Sequence, residues 1–209
     1  MIETPPILIT GIPRSGATMV AAAINACGAF CGGVTKRSMY CNDRIKANIV
    51  APYLDWEKLQ PGLIPCIWKK AVSDVMIRDG YKEGPWMYKD STSTLIWPVW
   101  QDAYPDAKWI IVRRKTNDIV NSCMKTTYMT EYDTKEGWLE MVHKYEKHFN
   151  EMVAAKLNYK ELWPERMVQG DYSQLYSVVE WAGLTWNDKA LEYIESLLWG
   201  AKQKERSKI

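Results

Sequence analysis

The chain is expected to fold as an α/β domain around a central, largely parallel sheet flanked by helices. Three observations carry this expectation. The apolar run at residues 7–10 ends in Gly11 and passes straight into a helix-like stretch, short runs recur at 86–89 and 108–113, and helical patterns separate them. Taken in order, residues 7–10 read as a strand, 11–16 as a tight turn and the stretch from Ala17 to Asn25 as a helix. Residues 28–41 hold glycine, serine and basic side chains and read as a loop, whereas Asn42 to Trp56 and Ile64 to Asp79 read as helices. A second strand is expected at 86–89, stopped by the turn-forming Asp90-Ser91-Thr92-Ser93. A helix to Tyr104 and the break at Pro105-Asp106 lead into the strand at 108–113. Thr116 is expected to cap a helix over 117–127. A long amphipathic helix from Lys135 to Leu157, a late strand at Met167-Val168, and helices near 173–182 and 187–199 complete the pattern. In such folds ligands bind at the carboxyl ends of the strands, which directs attention to residues 11–18, 89–91 and 113–122.

Composition narrows the function classes. The chain has 209 residues, 47% hydrophobic and 25% charged, and no repeat or Gly/Ser linker, so residues 1–209 read as one globular domain rather than a disordered or fibrous chain. Lys and Arg total 27 against 25 for Asp and Glu, and a net charge of +2 gives no general pull toward nucleic acid or anionic membrane. An anion site must therefore be local. The longest apolar stretch, residues 7–33, is broken by Pro13, Arg14, Ser15 and Gly16, so no membrane span or leader is expected and the chain reads as cytoplasmic. Its five cysteines form no CxxC pair and suit reduced thiols rather than a disulfide framework or zinc ribbon. Rings are mostly polar-tipped, with 11 Trp and 12 Tyr against 2 Phe, which fits core packing or an aromatic-lined cleft.

Gly11-Ile12-Pro13-Arg14-Ser15-Gly16-Ala17-Thr18 sits between a buried strand and a helix, where glycines let backbone N–H groups converge on a phosphate and the helix N-terminus adds positive partial charge. The spacing is that of a nucleoside triphosphate loop, yet Ala17 stands where the phosphate-reaching lysine is required, which argues against a kinase or ATPase. Arg14 supplies a positive charge three residues earlier. A plain strand-to-helix turn with an exposed arginine is the simpler alternative. A second basic cluster follows the strand at 108–113: Arg113 and Arg114 end it, and Ser122 on the next helix leans back toward Arg114, so that guanidinium and hydroxyl suit a phosphate monoester. Asp118 between them fits the first helical turn.

Together these residues resemble the sulfotransferases that use 3′-phosphoadenosine 5′-phosphosulfate (PAPS). Residues 9–18 resemble the family's 5′-phosphosulfate loop, with Ala17 in place of a threonine, and Val112 to Ser122 is similar to its 3′-phosphate motif, whose arginine and serine fall on Arg114 and Ser122. Weaker likeness extends to residues 86–90, 169–172 and 182–184. The resemblance implies a three-layer P-loop-type α/β fold and transfer of a sulfuryl group from PAPS to a hydroxyl or amine of a small-molecule, glycan or lipid acceptor. The product would be adenosine 3′,5′-bisphosphate (PAP), and no metal is required. It further implies that Pro13, Arg14, Ser15, Gly16, Ala17 and Thr18 hold the 5′ end of the cofactor, and that Arg114 and Ser122 hold its 3′-phosphate. Arg14 would neutralise the leaving oxygen, and Lys89 would contact the departing sulfate. Relatives with a histidine base place it just after this lysine, where the chain reads Lys89-Asp90-Ser91, while His143 and His148 lie far along the sequence. Asp43 is preferred over Asp90 as a carboxylate base, although a helix-start and a turn role suit them equally well. A P-loop small-molecule kinase and a nonenzymatic PAP or PAPS binder remain as alternatives. The basic tail with Lys202, Lys204, Arg206 and Lys208 is read as a solvated end rather than a cofactor clamp, with closure over the 3′-phosphate as the alternative, and the Trp/Tyr-rich segments 53–56, 86–100 and 128–138 as candidates for contact with sugar or lipid.

Overall fold

The computed structural model describes residues 1–33, 39–55, 60–61 and 67–195. The chain opens with strand β1 (Ile7–Gly11) and helix α1 (Ala17–Ala26). After a loop comes a helical segment that changes pitch: α2 (Asp43–Ile45), a π-helical turn at Lys46–Val50 and a 3-10 turn at Ala51–Tyr53. Asn42 starts this segment, its side-chain oxygen accepting from the N–H groups of Arg44 and Ile45 at 3.1 Å each. Pro52, which lacks an N–H, lies in its last turn. The short strands β2 (Leu54–Asp55) and β3 (Gln60–Pro61) pair antiparallel. Helix α3 (Trp68–Arg78), strand β4 (Met87–Lys89), a 3-10 turn at Ser91–Thr94 and helix α4 (Trp97–Ala103) follow. Strand β5 (Lys108–Val112), helices α5 (Thr116–Met124) and α6 (Lys135–Ala154), strand β6 (Tyr159–Leu162) and helices α7 (Pro164–Val168) and α8 (Ser173–Trp181) come next, and residues 189–195 are helical.

Four strands form one parallel sheet in the order β4-β1-β5-β6. All five residues of β1 are buried, as required of a central strand covered on both faces. Side chains alternate between two cores. Leu8, Tyr88, Trp109 and Ile111 face α3, α4, α5 and α6, among Met76, Trp100, Ile119 and Phe149. Ile7, Ile9, Met87, Ile110 and Val112 face α1 and α8, among Val20, Ile24, Leu175 and Val179. This is the expected three-layer arrangement, with helices on both faces of a parallel sheet.

Several sequence expectations are corrected. Met167 and Val168 lie in α7, not in a strand: Pro164 occupies the first helical turn, where its missing N–H costs nothing, and Gly170, at φ 85°, follows the helix. The fourth strand is β6 instead, an edge strand whose residues Tyr159, Lys160 and Glu161 are only half-buried and so carry no apolar run. Thr116 is the first residue of α5 and Lys115 occupies the cap position with no side-chain cap. Trp86, Tyr88 and Trp100 are at most 1% exposed and pack within the core, where Tyr88 stacks on Trp100 with centroids 5.0 Å apart, so these rings of the segment 86–100 line no cleft. The four described cysteines are free thiols; Cys66, Trp56, Ile64 and the basic tail lie outside the described residues.

One buried carboxylate anchors the segment that precedes the site. Asp79, at the end of α3, accepts from the Gly33 N–H at 2.9 Å, the Asn42 amide at 2.7 Å and the Arg44 guanidinium. Burial by itself raises its pKa, but these donors outweigh it and hold the carboxyl below its ordinary value. Stability from a depressed carboxylate pKa is present above the unfolded value of about 3.9 and is lost as pH falls through the lower folded value. Asp79→Asn is therefore expected to cost about 1–3 kcal/mol near neutral pH. The difference should shrink below about pH 4, which urea denaturation at both pH values would read.

Candidate active site

The loop after β1 is built on close approaches that only glycine permits. A Cβ on Gly11 would lie 2.6 Å from both the Ser15 hydroxyl and the Val112 carbonyl, and Gly16, at φ 98°, rests against Pro164. Arg14 also adopts the left-handed region, at φ 72°, a conformation that non-glycine residues rarely take. The N–H of Ser15 closes the turn onto the Ile12 carbonyl at 2.9 Å, so it points into the loop and not outward with its neighbours. The N–H groups of Gly16, Ala17 and Thr18 have no backbone partner among the described residues, and α1 has no side-chain cap. Ser15 Oγ is buried and unpartnered. Three free donors at an uncapped helix start and an orphaned hydroxyl fit an oxyanion such as phosphate. Pro13 sits half-buried at the crest of the same turn.

The carboxyl ends of β4 and β5 add their charges to this loop. Lys89, the last residue of β4, reaches Thr18 Oγ1 with its amine at 3.3 Å. Burial pushes its pKa below the ordinary lysine value, against the partial compensation of nearby Cys41 and Asp90. From the β5 side, Arg114 donates to the Arg14 carbonyl at 2.8 Å, while Arg14 Nε donates to Ser122 Oγ at 3.0 Å and its Nη1 to the Tyr128 hydroxyl at 3.1 Å. The structure thus brings Arg14, Arg114 and Ser122 into one set. The neighbouring Arg113 is committed elsewhere: it pairs with Glu146 at 2.6 Å and Glu161 at 2.9 Å and lies 4.4 Å over the Phe149 ring.

The two candidate bases differ sharply in environment. Asp90 is 4% exposed; its carboxylate accepts from the Tyr88 hydroxyl at 3.1 Å and from the Thr92 N–H at 3.3 Å and hydroxyl, and faces the Lys46 amine at 3.6 Å. These contacts suit a buried hub that caps the 3-10 turn. The Asp90 carbonyl also accepts from Thr10 Oγ1 at 2.9 Å, which ties the end of β1 to the same turn. Asp43 is exposed on the first turn of α2. Lys46 stands near both carboxylates, and the charge of Asp90 first, with that of Asp43 adding least, raises its pKa. His143 is exposed on α6, and His148, on the same helix, contacts Glu151 at 3.0 Å.

The sequence points to neither Lys46 nor the contact of Tyr128 with Arg14, since Tyr128 is read there only within the aromatic segment 128–138. Neither stands in a short motif: Lys46 is set by the pitch change of its helical segment, and Tyr128 by the turn after α5. Among the described residues no group of three or more His, Cys, Asp or Glu side chains is placed to hold a metal ion, and no helix is long and apolar enough to cross a membrane.

The chain is 22% identical over 201 residues to protein-tyrosine sulfotransferase A of Caenorhabditis elegans, covering 91% of this chain and 53% of that protein. It thus spans about half the length of this curated relative. The crystal structure of a sulfotransferase from Mycobacterium tuberculosis matches with a TM-score of 0.54 at 14% identity, covering 92% of this chain and 71% of that one, and shares its fold. The model of the sulfotransferase domain matches residues 6–180, from just before β1 to the end of α8, and the chain therefore belongs to the sulfotransferase domain family.

Proposed function

We propose that the protein is a PAPS-dependent sulfotransferase. One observation carries the reading: two anion-ready clusters lie at adjacent strand ends and meet at Arg14, whose carbonyl binds Arg114 and whose side chain binds Ser122. A nucleotide with phosphates on both its 5′ and 3′ positions matches such a pair. When bound, PAPS supplies an activated sulfuryl group on a 5′-phosphate leaving group. The chain's own residues do the rest. The N–H groups of Gly16, Ala17 and Thr18 and the Ser15 hydroxyl hold the 5′-phosphate, and Arg114 and Ser122 hold the 3′-phosphate. Arg14 and Lys89 set positive charge where negative charge develops on the leaving group, an effect worth about 10²–10³ in rate for a well-placed donor. Lys89 keeps its proton more firmly when an anion sits beside it, because the anion offsets its burial. Asp43, exposed on the first turn of α2, takes the acceptor's proton, and Asp90, 4% exposed, is the alternative.

The engagement of the Asp90 carboxylate by Tyr88, Thr92 and Lys46 favours a second reading, a nonenzymatic PAP or PAPS binder, if Asp43 does not reach an acceptor. The kinase reading is weakened by Ala17 at the loop's lysine position. The acceptor is a hydroxyl or amine, and the relative's name puts a tyrosine-bearing peptide beside small molecules, glycans and lipids in the set to be screened.

Calorimetric titration with PAP and ADP, with and without Mg²⁺, tests the cofactor. Metal-independent preference for PAP is expected, and Arg114→Ala should weaken PAP about 10- to 100-fold, the range for losing a charge-assisted hydrogen bond. Equal or Mg²⁺-dependent ADP binding would move the kinase reading to first place. With an acceptor found by transfer of labelled sulfate from PAPS, Arg14→Ala and Lys89→Met should each lower turnover by about 10²–10³, with thermal midpoints close to wild type. Unchanged turnover in both would remove the mechanism.

A further inference from the structure

We propose that Tyr128 is a positioning residue that orients the Arg14 guanidinium for the anionic cofactor, an inference that rests on the reading above. Tyr128 is 66% exposed, so packing gives its ring no reason to be fixed, yet its hydroxyl accepts from Arg14 Nη1 at 3.1 Å. The turn that carries it is an extension of α5. The Thr126 hydroxyl donates to the Ser122 carbonyl at 2.6 Å, the Thr126 N–H to the Cys123 carbonyl at 2.9 Å, and the Met129 N–H to the Thr126 carbonyl at 3.1 Å. Ser122 and Tyr128 are therefore presented by one unit, and they take Nε and Nη1 of the same guanidinium.

From the other end of α5, Arg114 holds the Arg14 carbonyl. The left-handed backbone of Arg14 and the plane of its side chain are thus both set by α5 and the residues flanking it. The two hydroxyls occupy two of the five N–H donors of the guanidinium and leave the remaining donors in a defined plane for an anion. An arginine already held in one orientation loses less rotamer freedom when its ligand arrives. Ser122 is already assigned a phosphate by the proposed function; Tyr128 is the partner whose hydroxyl has no other bond among the described residues.

The experiment is a double-mutant cycle in PAP affinity, measured by calorimetry on wild type, Tyr128→Phe, Arg14→Ala and the double variant. Tyr128→Phe keeps the ring and removes only the hydroxyl. It is expected to weaken PAP roughly three- to tenfold at an unchanged thermal midpoint, and to have no effect in the Arg14→Ala background. A ring that merely packs or stacks would not give this coupling. Wild-type affinity in Tyr128→Phe, tighter binding, or the same loss with and without Arg14 each overturns the positioning role. PAP binding that depends on Arg14 and Arg114 but not on the Tyr128 hydroxyl overturns this inference alone, whereas a wild-type protein that does not bind PAP overturns both it and the reading beneath it.

Discussion

The register of β1 against β5 is the constraint on which the site depends. Gly11 stands opposite Val112 in the parallel ladder, so the loop that follows β1 and the loop that follows β5 leave the sheet side by side. Arg14 comes three residues after one of these partners and Arg114 two residues after the other, close enough for Arg114 to reach the Arg14 carbonyl. A slip of β1 by one residue would turn Leu8 away from its core and exchange the side chains of β1 between the two faces of the sheet. Packing on both faces thus fixes the register, and the register fixes the distance between the two loops that carry Arg14 and Arg114.

Charge is sorted by what each element leaves free. Arg113 and Arg114 are adjacent in sequence but differ in surroundings, because Arg113 lies among Glu146, Glu161 and Phe149 while Arg114 emerges beside the loop after β1. Asp90 is likewise drawn inward by Tyr88 and Thr92, and Lys46 closes its remaining side. Lys89, the neighbour of Asp90, faces the opposite way, to Thr18 at the start of α1. A buried carboxylate satisfied in this manner ties down the strand end and leaves Lys89 and Arg114 on the side of the loop after β1. The result is a local excess of positive charge in a chain whose net charge is only +2.

The helix starts divide along the same line. Asn42 and Thr134 cap their helices with their own side chains, and Asp90 does so for its 3-10 turn, whereas α1, like α3, α4, α5, α7 and α8, has no side-chain cap. The start of α1 is the one whose Thr18 hydroxyl meets the Lys89 amine. Left-handed backbone at Arg14 and Gly16 is a local cost of about 1–3 kcal/mol for a non-glycine residue, offset by the bonds that α5 and its flanks make to Arg14.

The amino-acid sequence alone determined the features that repeat over short range: the apolar runs of β1 and β5, the glycine spacing from Gly11 to Gly16, the cluster of Arg114 and Ser122, and hence the three-layer parallel sheet. These are legible because strand burial, tight turns and helix periodicity each leave a pattern within a dozen residues. Tertiary structure alone decided the rest. β6 leaves no apolar run because an edge strand is half-solvated, and Met167 and Val168 carry the same apolar pattern in the helix α7 that a short strand would show. That Lys46 meets Asp90 and Tyr128 meets Arg14 follows from contacts 44 and 114 positions apart, whose partners no spacing rule specifies.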